Sequence, residues 1–143
     1  MRTTTKRILV ALVAMGAIAG ALCARGSQTV DADLAQTARE MSVGLPRMVD
    51  PSTRWESVIA GPGYRFEYTF TLTEFRADDA ALERIYTTLQ PALRQSTCTS
   101  SAMRYFFDNG VDVIYVYRTE DGKWRRTVSI SLLDCGPRDI SKK

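Results

Sequence analysis

The chain has 143 residues, of which 45% are hydrophobic and 24% charged, and this suits one domain with an ordinary core. It contains no histidine, which excludes Ser-His-Asp and Cys-His catalysis and zinc sites of the Cys/His type. The formal net charge is +3, but Arg2, Lys6 and Arg7 all lie in the first 24 residues. Without them 16 basic residues balance 16 acidic ones, so no basic footprint remains for nucleic acid.

Residues 1–24 read as a secretory signal peptide. A basic start precedes an apolar run from Ile8 to Ala21, and small residues follow. Cleavage after Ala21 or after Cys23 fits the small-x-small rule, and cleavage after Ala24 fits less well because it puts Leu22 at the third position back. The run is shorter than the ~20 residues of a spanning helix, so no stable membrane anchor is expected. Cys23 stands where a lipidated cysteine would, but the large Leu22 before it departs from the usual pattern. Its removal with the signal is the reading carried forward. The rest, residues 25–143, is read as a single domain.

In chain order, Asp31 is placed to cap a helix whose apolar stripe is Leu34, Ala38, Met41 and Leu45, ended by Gly44 and Pro46. Pro46 to Ser52 reads as an extended connector, with Asp50 and Arg54 able to pair. Trp55 to Ala60, the turn Gly61-Pro62-Gly63 and the run to Thr73 form a β-hairpin. Phe66, Tyr68, Phe70 and Leu72 alternate onto its buried face. Asp78 is the next cap, and Leu82, Ile85, Tyr86, Leu89 and Leu93 make a helical stripe. Pro91 should break or kink that helix near Gln90. Ser96 to Ser101 is a polar joint, and Ser100 caps a short helix holding Met103, Phe106 and Phe107. Val111 to Arg118 is apolar on both faces, so it is a central strand covered on both sides. Asp121-Gly122 turns the chain. Trp124 to Leu132 returns with Val128, Ile130 and Leu132 inward. Residues 136–143 are a polar tail. The sum is an α+β domain: an antiparallel sheet of about four strands, in two hairpins, packed with two to three helices.

In an exported chain, Cys98 and Cys135 form an even pair and are expected to bond. The closed loop of about 37 residues makes the bond worth roughly 3–4 kcal/mol. No phosphate-binding glycine motif occurs, and Glu120 with Asp121 supplies too few oxygens for calcium. No catalytic residue, metal ligand or cofactor is assigned. Two features keep a functional reading beside a structural one. Arg118, Arg125 and Arg126 form a basic spot for an acidic partner, or simply a solvated strand end. Tyr115 and Tyr117 line a groove, or pack in the core.

Residues 45–54, 61–72 and 106–118, with Asp121-Gly122, Cys98 and Cys135, resemble a group of small exported proteins of Gram-negative bacteria. In layout the chain is similar to the family of quorum-sensing-regulated virulence factors. The resemblance covers residues 32–135. It implies a small α+β domain in an exported location and no active site. The expectation is a periplasmic or secreted protein that works by binding a protein partner and is not an enzyme. A histidine-free hydrolase using carboxylates, and a structural subunit of an envelope assembly, are the alternatives.

Overall fold

The structure, a computed structural model, describes residues 29–136. The signal segment with Cys23 and most of the polar tail lie outside the described residues, as do the domain boundaries drawn from them.

Helix α1 covers residues 29–41, with Asp31 inside it instead of at its cap. Its Leu34 and Ala38 are buried, and Gly44 takes φ +80° just beyond its end. The stretch read as a connector is in fact a short edge strand, β1 (Arg47–Asp50), antiparallel to β2 (Thr53–Gly61). All four β1 residues are exposed, so no buried alternation betrays the strand. Asp50 does not pair with Arg54. Its Oδ1 accepts from the Ser52 backbone nitrogen at 2.9 Å and caps the turn between the strands.

β2 returns as β3 (Arg65–Leu72) through the glycine turn, where Gly63 has φ +77° and Tyr64 has φ 56°. Helix α2 then runs unbroken from Ala81 to Thr99 with Pro91 inside it, so the expected break and the joint at residues 96–101 are corrected. Thr87, whose carbonyl loses its donor to the proline, is exposed with Pro91 on the water side. Asp79, not Asp78, serves the helix start, accepting from the Ala81 nitrogen at 2.9 Å. A 3-10 turn at Ser101–Met103 leads to α3 (Arg104–Asp108), and Ser100 makes no side-chain cap.

β4 (Asp112–Thr119) and β5 (Arg125–Ile130) form the second hairpin. Gly122 supplies the positive φ of its turn. Leu132 does not continue β5. It sits 40% exposed in a 3-10 turn, Leu132–Cys135. The sheet has five strands in the order β1-β2-β3-β4-β5, antiparallel throughout except for the parallel pair β3–β4, which α2 and α3 connect.

The fold is therefore α+β, with one disulfide, Cys98–Cys135, across a Cα separation of 5.3 Å. That bond ties the end of α2 to the turn after β5. One sheet face carries the main core. Phe66 packs against Phe106 of α3 with ring centroids 4.7 Å apart and the rings tilted, and Tyr68 lies nearly parallel to Tyr115 at 5.3 Å. The Tyr68 hydroxyl reaches Met41 of α1, and the Tyr115 hydroxyl bonds Thr97 of α2 at 2.9 Å. These contacts place all three helices on this face. Among the described residues no helix is long and apolar enough to cross a membrane.

Candidate functional site

β4 divides the molecule. Val113, Tyr115 and Tyr117 join the helix-covered core, whereas Ile114 and Val116, although 3% and 1% exposed, do not belong to that core cluster. They stand on the other face, between Glu67 and Ser129 and between Thr69 and Thr127 respectively. This second face is rich in Ser, Thr and charge. At one end it carries a cross-strand row: Arg54 of β2, Thr71 of β3, Arg118 of β4 and Arg125 of β5, each opposite the next.

The row is held together from below. Register shifts between Trp55 and Ser57, leaving Glu56 as an extra residue in β2. Arg54 Nε donates to Glu56 at 2.8 Å, and its Nη2 donates to both oxygens of Glu120 at 3.1 Å. Arg118 Nε donates to the hydroxyl of Thr71, itself buried, at 3.2 Å. Burial alone would push the Glu56 carboxyl up. A hydrogen bond from Thr71, the Arg54 guanidinium and the charge of Arg118 outweigh it and hold Glu56 below the usual carboxylate range. Two guanidinium groups, Arg54 and Arg118, thus act on Glu56, and Arg54 also holds Glu120.

The structure sorts the basic spot read from sequence. Arg118 and Arg125 face each other on the second face, both exposed. Arg126 points to the helix side, where it pairs with Glu83 and lies 5.3 Å over the Trp124 ring. Trp124 Nε1 donates to the same Glu83 at 2.9 Å. Arg126 is therefore a clamp between β5 and α2 and leaves the basic spot. Tyr115 and Tyr117 are buried core residues, not groove linings. Burial raises both phenols, Tyr117 to about 12.

Two parts of the surface carry chemistry of their own. One flank of α2 presents Ile85, Leu89 and Ala92, with Arg84 and Thr88, as an open and largely apolar face. Of the helical stripe read from sequence, Leu82 lies in the core and Tyr86, Leu89 and Leu93 pack against it, whereas Ile85 falls outside the cluster and faces this flank. A depression of about 340 Å³ elsewhere gathers Glu74, Glu120 and Asp121 beside Phe75. Two of these carboxylates are committed elsewhere: Glu120 to Arg54, and Asp121 to the Thr119 hydroxyl at 2.6 Å and the Lys123 nitrogen at 3.1 Å. The Thr119 bond leads in holding Asp121 below its ordinary value, the reverse of what a general acid needs. Among the described residues no group of three or more acidic, Cys or His side chains is arranged for a metal.

No protein-family model and no curated protein matches the chain. Solved structures do. A Pseudomonas aeruginosa protein assigned as secreted superposes with a TM-score of 0.64 at 17% identity, over 75% of this chain and 93% of that one. The pilotin of the type 2 secretion system of Vibrio vulnificus gives 0.59 at 14%, over 78% and 96%. The type II secretion system pilotin of Vibrio cholerae gives 0.58 at 18%, over 79% and 98%. At these identities the likeness is one of fold: a five-stranded α+β domain spanning nearly the whole of each neighbour.

Proposed function

We propose that this chain is an exported, non-catalytic binding protein of the bacterial envelope, whose partner is a protein of a type II secretion apparatus. The observation that carries the reading is the fold, which spans nearly all of two pilotins and of a protein assigned as secreted. Two features support it. The signal-like segment and the cysteine pair suit an oxidising compartment. Of the carboxylates gathered beside Phe75, Glu120 is tied to Arg54 and Asp121 to the β4–β5 turn, which leaves Glu74 without a second carboxylate free to work with it.

The test combines two readouts in the native host. Intact mass is measured on chain recovered from periplasm and from medium, with and without reductant. Secreted cargo is quantified in a strain lacking the chain. A mature chain retained in the envelope, gaining two hydrogens on reduction, together with reduced cargo in the medium, supports the proposal. A full-length chain in the cytoplasm, or unchanged cargo, contradicts it.

A further inference from the structure

The arginine row on the second sheet face poses a physical problem. Arg118 and Arg125 lie directly opposite each other on neighbouring antiparallel strands. Like charges in that position destabilise a sheet. Arg54 needs no further partner, since it holds Glu56 and Glu120. Arg118 makes one side-chain hydrogen bond, from its Nε to Thr71, and its charge also acts on Glu56. That bond anchors the guanidinium on a buried hydroxyl, and its terminal nitrogens make no hydrogen bond among the described residues. No carboxylate pairs with Arg125 among the described residues, the ion pairs of this end being those of Arg54. Counting the row, Arg54, Arg118 and Arg125 face Glu56 and Glu120, so one cation is in excess, and it sits at Arg118–Arg125.

We infer that Arg118 and Arg125 form a carboxylate-binding subsite for an acidic segment of the protein partner. This rests on the protein-binding reading above and names the chemistry of one contact. Two neighbouring guanidinium groups, one oriented by a buried hydroxyl, match the fork geometry that carboxylates accept in bidentate form. The same row argues against a long polyanion. Glu56 and Glu120 stand beside the pair and repel a run of phosphates, so the site takes one or two carboxylates and no extended phosphate backbone. The flanking Thr127 and Ser129, exposed on β5, supply hydroxyls for the backbone of such a segment.

The experiment uses the mature, disulfide-linked chain and a short fluorescein-labelled Glu-rich peptide, with its Gln-for-Glu counterpart and phosphatidylglycerol vesicles as further probes. Fluorescence anisotropy at low and at high salt reads binding to the peptides, and cosedimentation reads binding to the vesicles. The Glu peptide is expected to bind and the Gln peptide not, with affinity falling as salt rises. Arg118→Gln and Arg125→Gln should each weaken binding about tenfold, the loss of one charge-assisted contact. The double variant should abolish it, and Arg126→Gln should leave it unchanged. Melting temperatures of the Arg125→Gln variant should equal or exceed the parent, since a like-charge pair is relieved, so loss of binding is not loss of fold. Equal binding of both peptides, or indifference to the double substitution, overturns the subsite. So does binding to anionic vesicles without binding to the peptide, which would assign the pair to lipid headgroups. Unchanged cargo secretion in the deletion strain, by contrast, overturns the envelope reading and leaves the subsite standing.

Discussion

The two faces of β4 obey different rules. On the helix side, Val113, Tyr115 and Tyr117 are buried by aromatic stacking and by three helices. On the other side, Ile114 and Val116 are equally buried between Ser, Thr and Glu side chains, and the same strand ends there in an exposed Arg118. One strand therefore anchors the fold with its odd positions and presents charge with Arg118 on the opposite side. The difference teaches where substitutions should act on stability and where on binding.

The largest effect should come from the helix side. Phe66, fully buried against Phe106, should cost about 3–5 kcal/mol on replacement by Ala, read as a lower urea midpoint. Breaking Cys98–Cys135 by Cys98→Ser with Cys135→Ser should cost about 2–4 kcal/mol, because the bond is the covalent tie between the end of α2 and the turn after β5, with the Arg94–Asp134 ion pair beside it. If Phe66→Ala proves no more damaging than Thr69→Ala on the second face, the comparison fails.

Alkaline titration sharpens it. Burial raises the phenol of Tyr68, and that of Tyr117 to about 12. A group whose folded pKa is raised contributes stability fully present below its unfolded value, near 10, and lost as pH rises through the folded value. Stability should hold to about pH 10 and then fall towards about pH 12, and Tyr117→Phe should flatten part of that fall. At the acid end the sign reverses. Glu56 is held below its ordinary value, against burial, by Thr71, Arg54 and Arg118. Its contribution is present above the unfolded carboxylate pKa and is lost as pH falls through the folded one. Glu56→Gln should therefore remove part of the acid-side slope, measured by urea unfolding at successive pH values.

Thr71→Val comes next in size. It keeps the shape and removes the hydroxyl that serves both Arg118 and Glu56, at a cost of about 1–2 kcal/mol. The smallest effect should be Arg125→Thr, a gain of a few tenths of a kcal/mol from relieving the Arg118 repulsion, shrinking with salt. A loss of stability on that change would mean that the two guanidinium groups are not in conflict.

Much of the helix side was legible in the residues. Phe66, Tyr68 and Leu72 alternate with polar neighbours, and period two is a signal that burial enforces. Cys98 and Cys135 followed from an even pair in an export context. β1 was not legible, because Arg47 to Asp50 are all exposed and are held by backbone pairing with β2 and by Arg47 lying over the Trp55 ring, neither of which leaves an alternating pattern. Pro91 misled because its penalty depends on whether the orphaned carbonyl meets water, which composition does not state. The binding face was half legible. Arg118 and Arg125 were singled out, and alternation along β5 already turns Arg126 to the opposite face, but bringing Arg118 opposite Arg125 depends on strand pairing, and the supporting shell of Thr71, Glu56 and Arg54 depends on β3 and β4 being parallel neighbours. Sequence-distant register of this kind leaves no local pattern.

The measurement that bears most directly on the account is photo-crosslinking in the native host, with a photoreactive residue at Thr127 beside the arginine pair and, separately, at the water-facing Thr87 of α2. A discrete protein adduct on the exported chain at Thr127, absent at Thr87 and lost when Arg118 and Arg125 are both changed to Gln, is the expected result. Absence of any adduct at Thr127, or an adduct indifferent to those substitutions, would contradict the claim that this face of the sheet is where the protein meets its partner.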